Sequence, residues 1–261
     1  MQRTLTHIVP EEFPPVFRPI LSGVPVYDSS CSNVARVWFI DRGEGYFLKR
    51  APKGTLQNEA ALTRFFHLKG FGAEVLCYES LEYDWLLTAR IRGEDCTFAE
   101  YMENPNRLCD TLAECMRRLH DTDFSGCPIE NRTAQYLLTA EQNHALGKYD
   151  LSLFGDAWCY ASAEDAWRVV EESAHLLKSD TLIHGDFCLP NIMLDNWRFS
   201  GFIDLDTGGV GDRHVDLFWA AWSLNYNLKT DAYRSRFFDV YGRDKINEEM
   251  FKIIAAVEVF G

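Results

Sequence analysis

One stretch constrains this chain more than any other: His184-Gly185-Asp186-Phe187-Cys188-Leu189-Pro190-Asn191, set between the apolar runs Thr181-Leu182-Ile183 and Ile192-Met193-Leu194. Short apolar runs of this kind read as buried strands, so the loop between them is held at both ends and directs two oxygen-bearing side chains, Asp186 and Asn191, toward one point. A third, Asp204, closes the apolar run Gly201-Phe202-Ile203. One carboxylate to receive a hydroxyl proton and two further oxygens to hold a divalent cation are what phosphoryl transfer needs. In that reaction catalysis is mostly positioning and charge neutralisation.

Composition sets outer limits. The chain has 261 residues, 47% of them hydrophobic, and a chain this long buries about 75% of its unfolded surface, enough for one large domain or two lobes. Asp and Glu number 39 against 26 Lys and Arg, a formal net charge of −13. That balance argues against nucleic acid, whose phosphates require clustered basic residues, and suits a small cationic partner. The eight cysteines are scattered without a CxxC pair or zinc-like histidine spacing, which predicts reduced thiols. No run of 18 apolar residues occurs and the first residues lack a long apolar core, so the expectation is a cytoplasmic protein without membrane contact. Oligomeric state has no signature in the sequence.

Taken in order, the chain is β-rich first and helical later. Prolines limit residues 11 to 21 to a short helical turn. Residues 24 to 27, 35 to 40, 46 to 48, 74 to 78 and 85 to 89 read as five strands of one sheet. Lys49 ends the third of them, and Glu59 lies in the first turn of a helix predicted over 56 to 68. A strand lysine followed by a glutamate on the next helix is the arrangement in which an ion pair fixes an ammonium against nucleotide phosphates. Helices follow over 105 to 119, 133 to 146 and 163 to 177, one opens at 212, and two more run over 231 to 241 and 247 to 260. His120, at a helix end, reads as structural.

The ordered set of HGDFCLPN, SGFIDLDTGGVGDRHVDL and the upstream FLKR resembles the aminoglycoside phosphotransferases, nearest their 3′-phosphotransferase branch, from about Ser30 to the C-terminus. That resemblance implies an α+β, two-lobed, protein-kinase-like fold, with a nucleotide-binding lobe over 1–92 and a helical catalytic lobe over 93–261. It implies ATP or GTP with Mg²⁺ as cofactors, and transfer of the γ-phosphoryl group to a hydroxyl of a small cationic molecule, an aminoglycoside first. Carried over by position, Asp186 matches the catalytic base, Asn191 and Asp204 match the metal ligands, and Asp216 matches the aspartate that braces the catalytic loop. Ser32 matches a phosphate-capping serine, Phe47 the ring that stacks on adenine, and the backbone of Ala89 and Ile91 the hinge that reads the base. Asp150 and Asp156 fall in an acidic flap over the acceptor. Glu258 falls in the terminal helix where family members carry adjacent acids, but here Val259 follows it, and the chain terminus is the other candidate carboxylate. Asp206 stands where the antibiotic enzymes usually have glycine. Two alternatives stay open at this point: a kinase of the same superfamily acting on another metabolite, and a nucleotide-binding protein without transfer activity.

Overall fold

The computed structural model describes residues 3–31, 34–152 and 159–261. The fold is α+β, with the strands concentrated in the N-terminal third and the helices after it. Two compact units emerge: Met1–Asp95 together with Ile192–Asp206, and Cys96–Asn191 together with Thr207–Gly261. The sequence-based division at residue 92 follows the linear chain, whereas compactness returns the Ile192–Asp206 segment to the first unit.

The first unit is built on a six-stranded antiparallel sheet. Five of its strands fall close to where alternation places them, and a sixth, Thr4–Thr6, pairs along the edge with Val26–Asp28. Trp38 faces Leu48 and Leu48 faces Leu87 across the strands. These side chains join Phe13, Phe17, Leu21, Val26, Ile40 and Trp85 in one core. The Pro-interrupted segment is thus one short helix, Arg18–Leu21, after a single 3-10 turn, and its rings cover one face of the sheet. Side chains alternate along a strand, so Phe47 and Lys49, flanking Leu48, lie on the opposite face. There Ala51 and Leu86 pack with Leu56 and Ala60, which seats the Gln57–Leu68 helix over the Lys49 face.

Phe71, Phe199 and Phe202 tie the returning segment to this unit. The Phe71 and Phe202 rings stack at 6.0 Å and 16°, and the Phe202 amide donates to the Phe71 carbonyl at 2.6 Å. Strands Ile192–Asp195 and Arg198–Phe202 form a hairpin that also pairs with Glu94–Asp95. Its two turn residues, Asn196 and Trp197, both have positive φ (49° and 66°), the backbone that two-residue hairpin turns demand.

The second unit is helical around a two-stranded ribbon, Thr181–Ile183 against Gly209–Gly211. Asn131 and Ser162 cap their helices by accepting from the Ala134 and Asp165 amides, the side-chain oxygen closing an otherwise unpaired N–H. The Pro105–His120 helix contributes Leu108, Leu112, Met116 and Leu119 to the interior. A further cluster packs Ala140, Ala166 and Val170 against Ala256, Val257 and Phe260 of the C-terminal segment. No helix among the described residues is long and apolar enough to cross a membrane, and among them no cysteine forms a disulfide.

Candidate active site

In the first unit the pairing of Lys49 is the central fact. Its ammonium donates to both carboxylate oxygens of Glu59, at 3.0 and 2.8 Å, and to Asp204 Oδ1 at 3.1 Å. Burial alone would lower the Lys49 pKa, but Asp204 and Glu59 outweigh it and hold the group above its ordinary value. Lys49 is therefore a fixed cation rather than a proton donor. Asp204 adopts φ 54°, a left-handed backbone uncommon outside glycine, and its side chain is 55% exposed. An outlier of this kind carries strain and concentrates at functional positions.

Phe47 shares the sheet face with Lys49 and packs against Phe39 at 5.3 Å. The Ala89 amide donates to the Glu74 carbonyl at 2.9 Å, so a base at this edge can use only the carbonyl of that residue. Ile91 packs its Cδ1 close over Gly201. Ser32 lies outside the described residues.

In the second unit the His184–Asn191 loop is held from below. Asp216 accepts from the His184 amide at 2.8 Å and from the Gly185 amide at 2.7 Å. The same carboxylate bonds His120 Nε2 at 3.0 Å, and His120 Nδ1 meets the Tyr241 hydroxyl at 2.8 Å. His120 is thus a buried connector, as its sequence position suggests. Gly185 has φ +85°, and a Cβ there would stand 2.0 Å from the Thr207 carbonyl, so only glycine fits. Ser223 accepts from the Leu189 amide at 3.0 Å, fixing the far side of the loop. Asp212 caps the Arg213–Leu228 helix that carries both Asp216 and Ser223, accepting from the His214 amide at 2.9 Å.

Within that frame Asn191 Nδ2 donates to Asp186 Oδ2 at 2.8 Å and to the Asp186 carbonyl at 3.0 Å. With both amide hydrogens engaged, the Asn191 carbonyl oxygen is the end left for a cation. Asp204 offers a carboxylate of which one oxygen faces Lys49. Each is a hard oxygen donor of the kind that suits Mg²⁺, and neither encloses an ion by itself. No cluster of three or more His, Cys, Asp or Glu side chains able to hold a metal occurs among the described residues.

Glu258, which the resemblance places in the terminal helix, is a recessed carboxylate. Its Oε1 accepts from the Tyr136 hydroxyl at 2.9 Å and from Trp219 Nε1 at 3.0 Å. Burial pushes its carboxyl up to about 7, against those two hydrogen bonds and with help from the charge of Asp186. The same charge acts on Cys188, whose thiol burial already raises far above its usual range. Tyr136 and Trp219 carry no motif that marks them in the sequence. Asp150 remains exposed, its Oδ1 accepting from the Ser152 amide and hydroxyl at 2.7 and 2.6 Å. Asp156 lies outside the described residues.

The model of the phosphotransferase enzyme family matches residues 26–250. A probable aminoglycoside 3′-phosphotransferase of Lactococcus lactis subsp. lactis (strain IL1403) is 47% identical over 252 residues, 96% of each chain. The chain belongs to the aminoglycoside phosphotransferase family. As such it is a phosphotransferase enzyme. Among solved structures, an aminoglycoside-3′-phosphotransferase of type VIII superposes with a TM-score of 0.73 at 24% identity, over 90% of this chain and 91% of that one. An aminoglycoside phosphotransferase from Streptomyces rimosus ATCC10970, in complex with ADP and streptomycin, gives 0.69 at 20% identity, over 85% and 90%. At such identities the likeness is one of fold.

Proposed function

We propose that this phosphotransferase moves the γ-phosphoryl group of ATP to the 3′-hydroxyl of an aminoglycoside, with Asp186 as the base that orients and deprotonates that hydroxyl. The observation that carries the reading is the Asp186 carboxylate, fixed through Oδ2 by Asn191 on a loop that Asp216 holds by two amides. Such a carboxylate is positioned for the hydroxyl proton by Asn191, with the Cys188 thiol as a further hydrogen-bond partner. The 47% identical relative bears the 3′-phosphotransferase name, which supports both acceptor and position.

Lys49, kept charged and aimed by Glu59, binds the α- and β-phosphates. Phe47 stacks on the purine, the Ala89 carbonyl accepts from the adenine amino group, and the Ile91 backbone completes base recognition. Ser32 caps the β-phosphate. Asn191 and Asp204 would hold Mg²⁺, and the ion would neutralise charge on the transferred phosphate. Glu258 accepts an ammonium group of the acceptor, with Asp150 and Asp156 as further carboxylates. The test is turnover of purified protein with Mg·ATP and kanamycin-like acceptors, the phosphorylated carbon being located by NMR. Asp186→Ala should lose about 10²-fold to 10⁴-fold in kcat with unchanged ATP affinity. Turnover of a neutral metabolite alone would leave the kinase chemistry and remove the aminoglycoside.

A further inference from the structure

Trp219, which donates to Glu258, opens a row of aromatic side chains whose other members, Trp222 and Tyr226, have no role in the chemistry above. Trp219, Trp222 and Tyr226 follow one another at spacings of three and four on the Arg213–Leu228 helix, and such residues lie on one helical face. Trp219 and Trp222 meet edge to face at 5.4 Å and 84°, and Trp222 and Tyr226 stack at 5.0 Å and 14°. At one end of this ladder Trp219 donates to Glu258. At the other, Lys229 places its ammonium 4.2 Å from the centroid of the Tyr226 ring. The core face of the helix is supplied by other residues, among them Leu217, Phe218, Ala221 and Leu224, while Tyr226 is 56% exposed. Ser223, within the ladder, anchors the Leu189 amide, so the row runs alongside the loop that carries Asp186.

The face of an aromatic ring is electron-rich and attracts cations, and Lys229 shows a cation resting there. The acidic chain, at −13, favours a cationic visitor over an anionic one. A ring bearing an ammonium on an otherwise apolar C–H face matches such a surface better than a further carboxylate would.

We propose that Trp222 and Tyr226 form a second acceptor subsite, which holds a distal amino-sugar ring by stacking and cation–π attraction while Glu258 takes an ammonium by charge, and that Lys229 occupies this subsite until the acceptor displaces it. The proposal rests on the aminoglycoside reading of the acceptor. It gives Lys229 the role of an internal competitor and makes Tyr226 and Trp222 determinants of acceptor size.

Steady-state kinetics on the whole protein, with a kanamycin-like acceptor, provide the test. Tyr226→Leu should raise the acceptor KM about two- to thirtyfold, leaving kcat and the KM for ATP unchanged, and Tyr226→Phe should restore it because the ring is what acts. Lys229→Met should lower the acceptor KM, a change of sign that lost packing does not produce. The effect of Tyr226→Leu should shrink for an acceptor in which one distal amine is replaced by a hydroxyl. If wild-type protein phosphorylates aminoglycosides but neither Tyr226→Leu nor Lys229→Met moves the acceptor KM, the subsite is overturned and the acceptor assignment stands. Absence of any aminoglycoside turnover by wild-type protein overturns both. A drop in solution mass for Tyr226→Leu by light scattering, with unchanged KM, overturns it in favour of contact between copies of the chain.

Discussion

Glu258 shows how a single environment sets pH behaviour. Its folded pKa, about 7, lies above the ordinary glutamate value near 4.3. The folded protein therefore holds a proton that the unfolded chain releases between those two values. Stability from this group is complete below about 4.3 and is lost as pH rises through about 7. Glu258→Gln keeps the oxygen that Tyr136 and Trp219 donate to and removes the charge. Denaturation at pH 8 should show the variant more stable than wild type by on the order of 3 kcal/mol, from about 1.4 kcal/mol per pH unit between those two values, and below about pH 4 the two should coincide. Acceptor binding runs the other way, because an ammonium needs the ionised form: wild-type KM should fall between pH 6 and pH 8, and the Glu258→Gln value should be higher and flat. Asp216 is buried, and both of its oxygens are engaged. In Asp216→Asn an amide NH₂ must face a backbone N–H or the imidazole, and hydrogen bonds to a charged acceptor are lost. Urea denaturation should register about 3 kcal/mol, with kcat falling because the loop loosens.

At the scale of elements, the His184–Asn191 loop works because nothing larger than hydrogen fits at its second residue. Gly185→Ala puts a methyl group against the Thr207 carbonyl in a backbone that already disfavours it. It should cost about 2 kcal/mol or more, seen as a lower melting temperature together with loss of turnover. That loop was legible from its sequence because its residues are consecutive and bounded by apolar runs. The strands on either side of Lys49 and the Gln57–Leu68 helix were legible for the same reason, since alternation and helical spacing are local signals. Thr4–Thr6 was not: three residues of mixed polarity carry no period, and they become a strand only because Val26–Asp28 offers an edge. The pairing of Lys49 with Asp204 was equally hidden, since the partners are 155 residues apart and each is explained by a different motif. Glu258 was placed by resemblance, but its recessed setting depends on Tyr136 and Trp219, from two other helices, and no local pattern announces such a convergence.

For the molecule as a whole, the excess of acidic residues predicts how an acceptor is gathered. Ammonium contacts with exposed carboxylates such as Asp150 are individually weak and are screened over roughly 8 to 10 Å at 0.1 to 0.15 M salt. Raising salt from 0.05 to 0.5 M should therefore weaken aminoglycoside affinity in calorimetric titration, and the stacking share of it should persist. The Ile192–Asp206 segment carries another consequence, for biogenesis. Because that segment belongs with the first ninety-five residues, the N-terminal unit cannot be finished while its own stretch of chain emerges from the ribosome. Phe71 waits for Phe202, and Glu94–Asp95 waits for Ile192–Asp195. The helices between must emerge first, and nascent chains halted before residue 206 expose an incomplete sheet to chaperones and proteases.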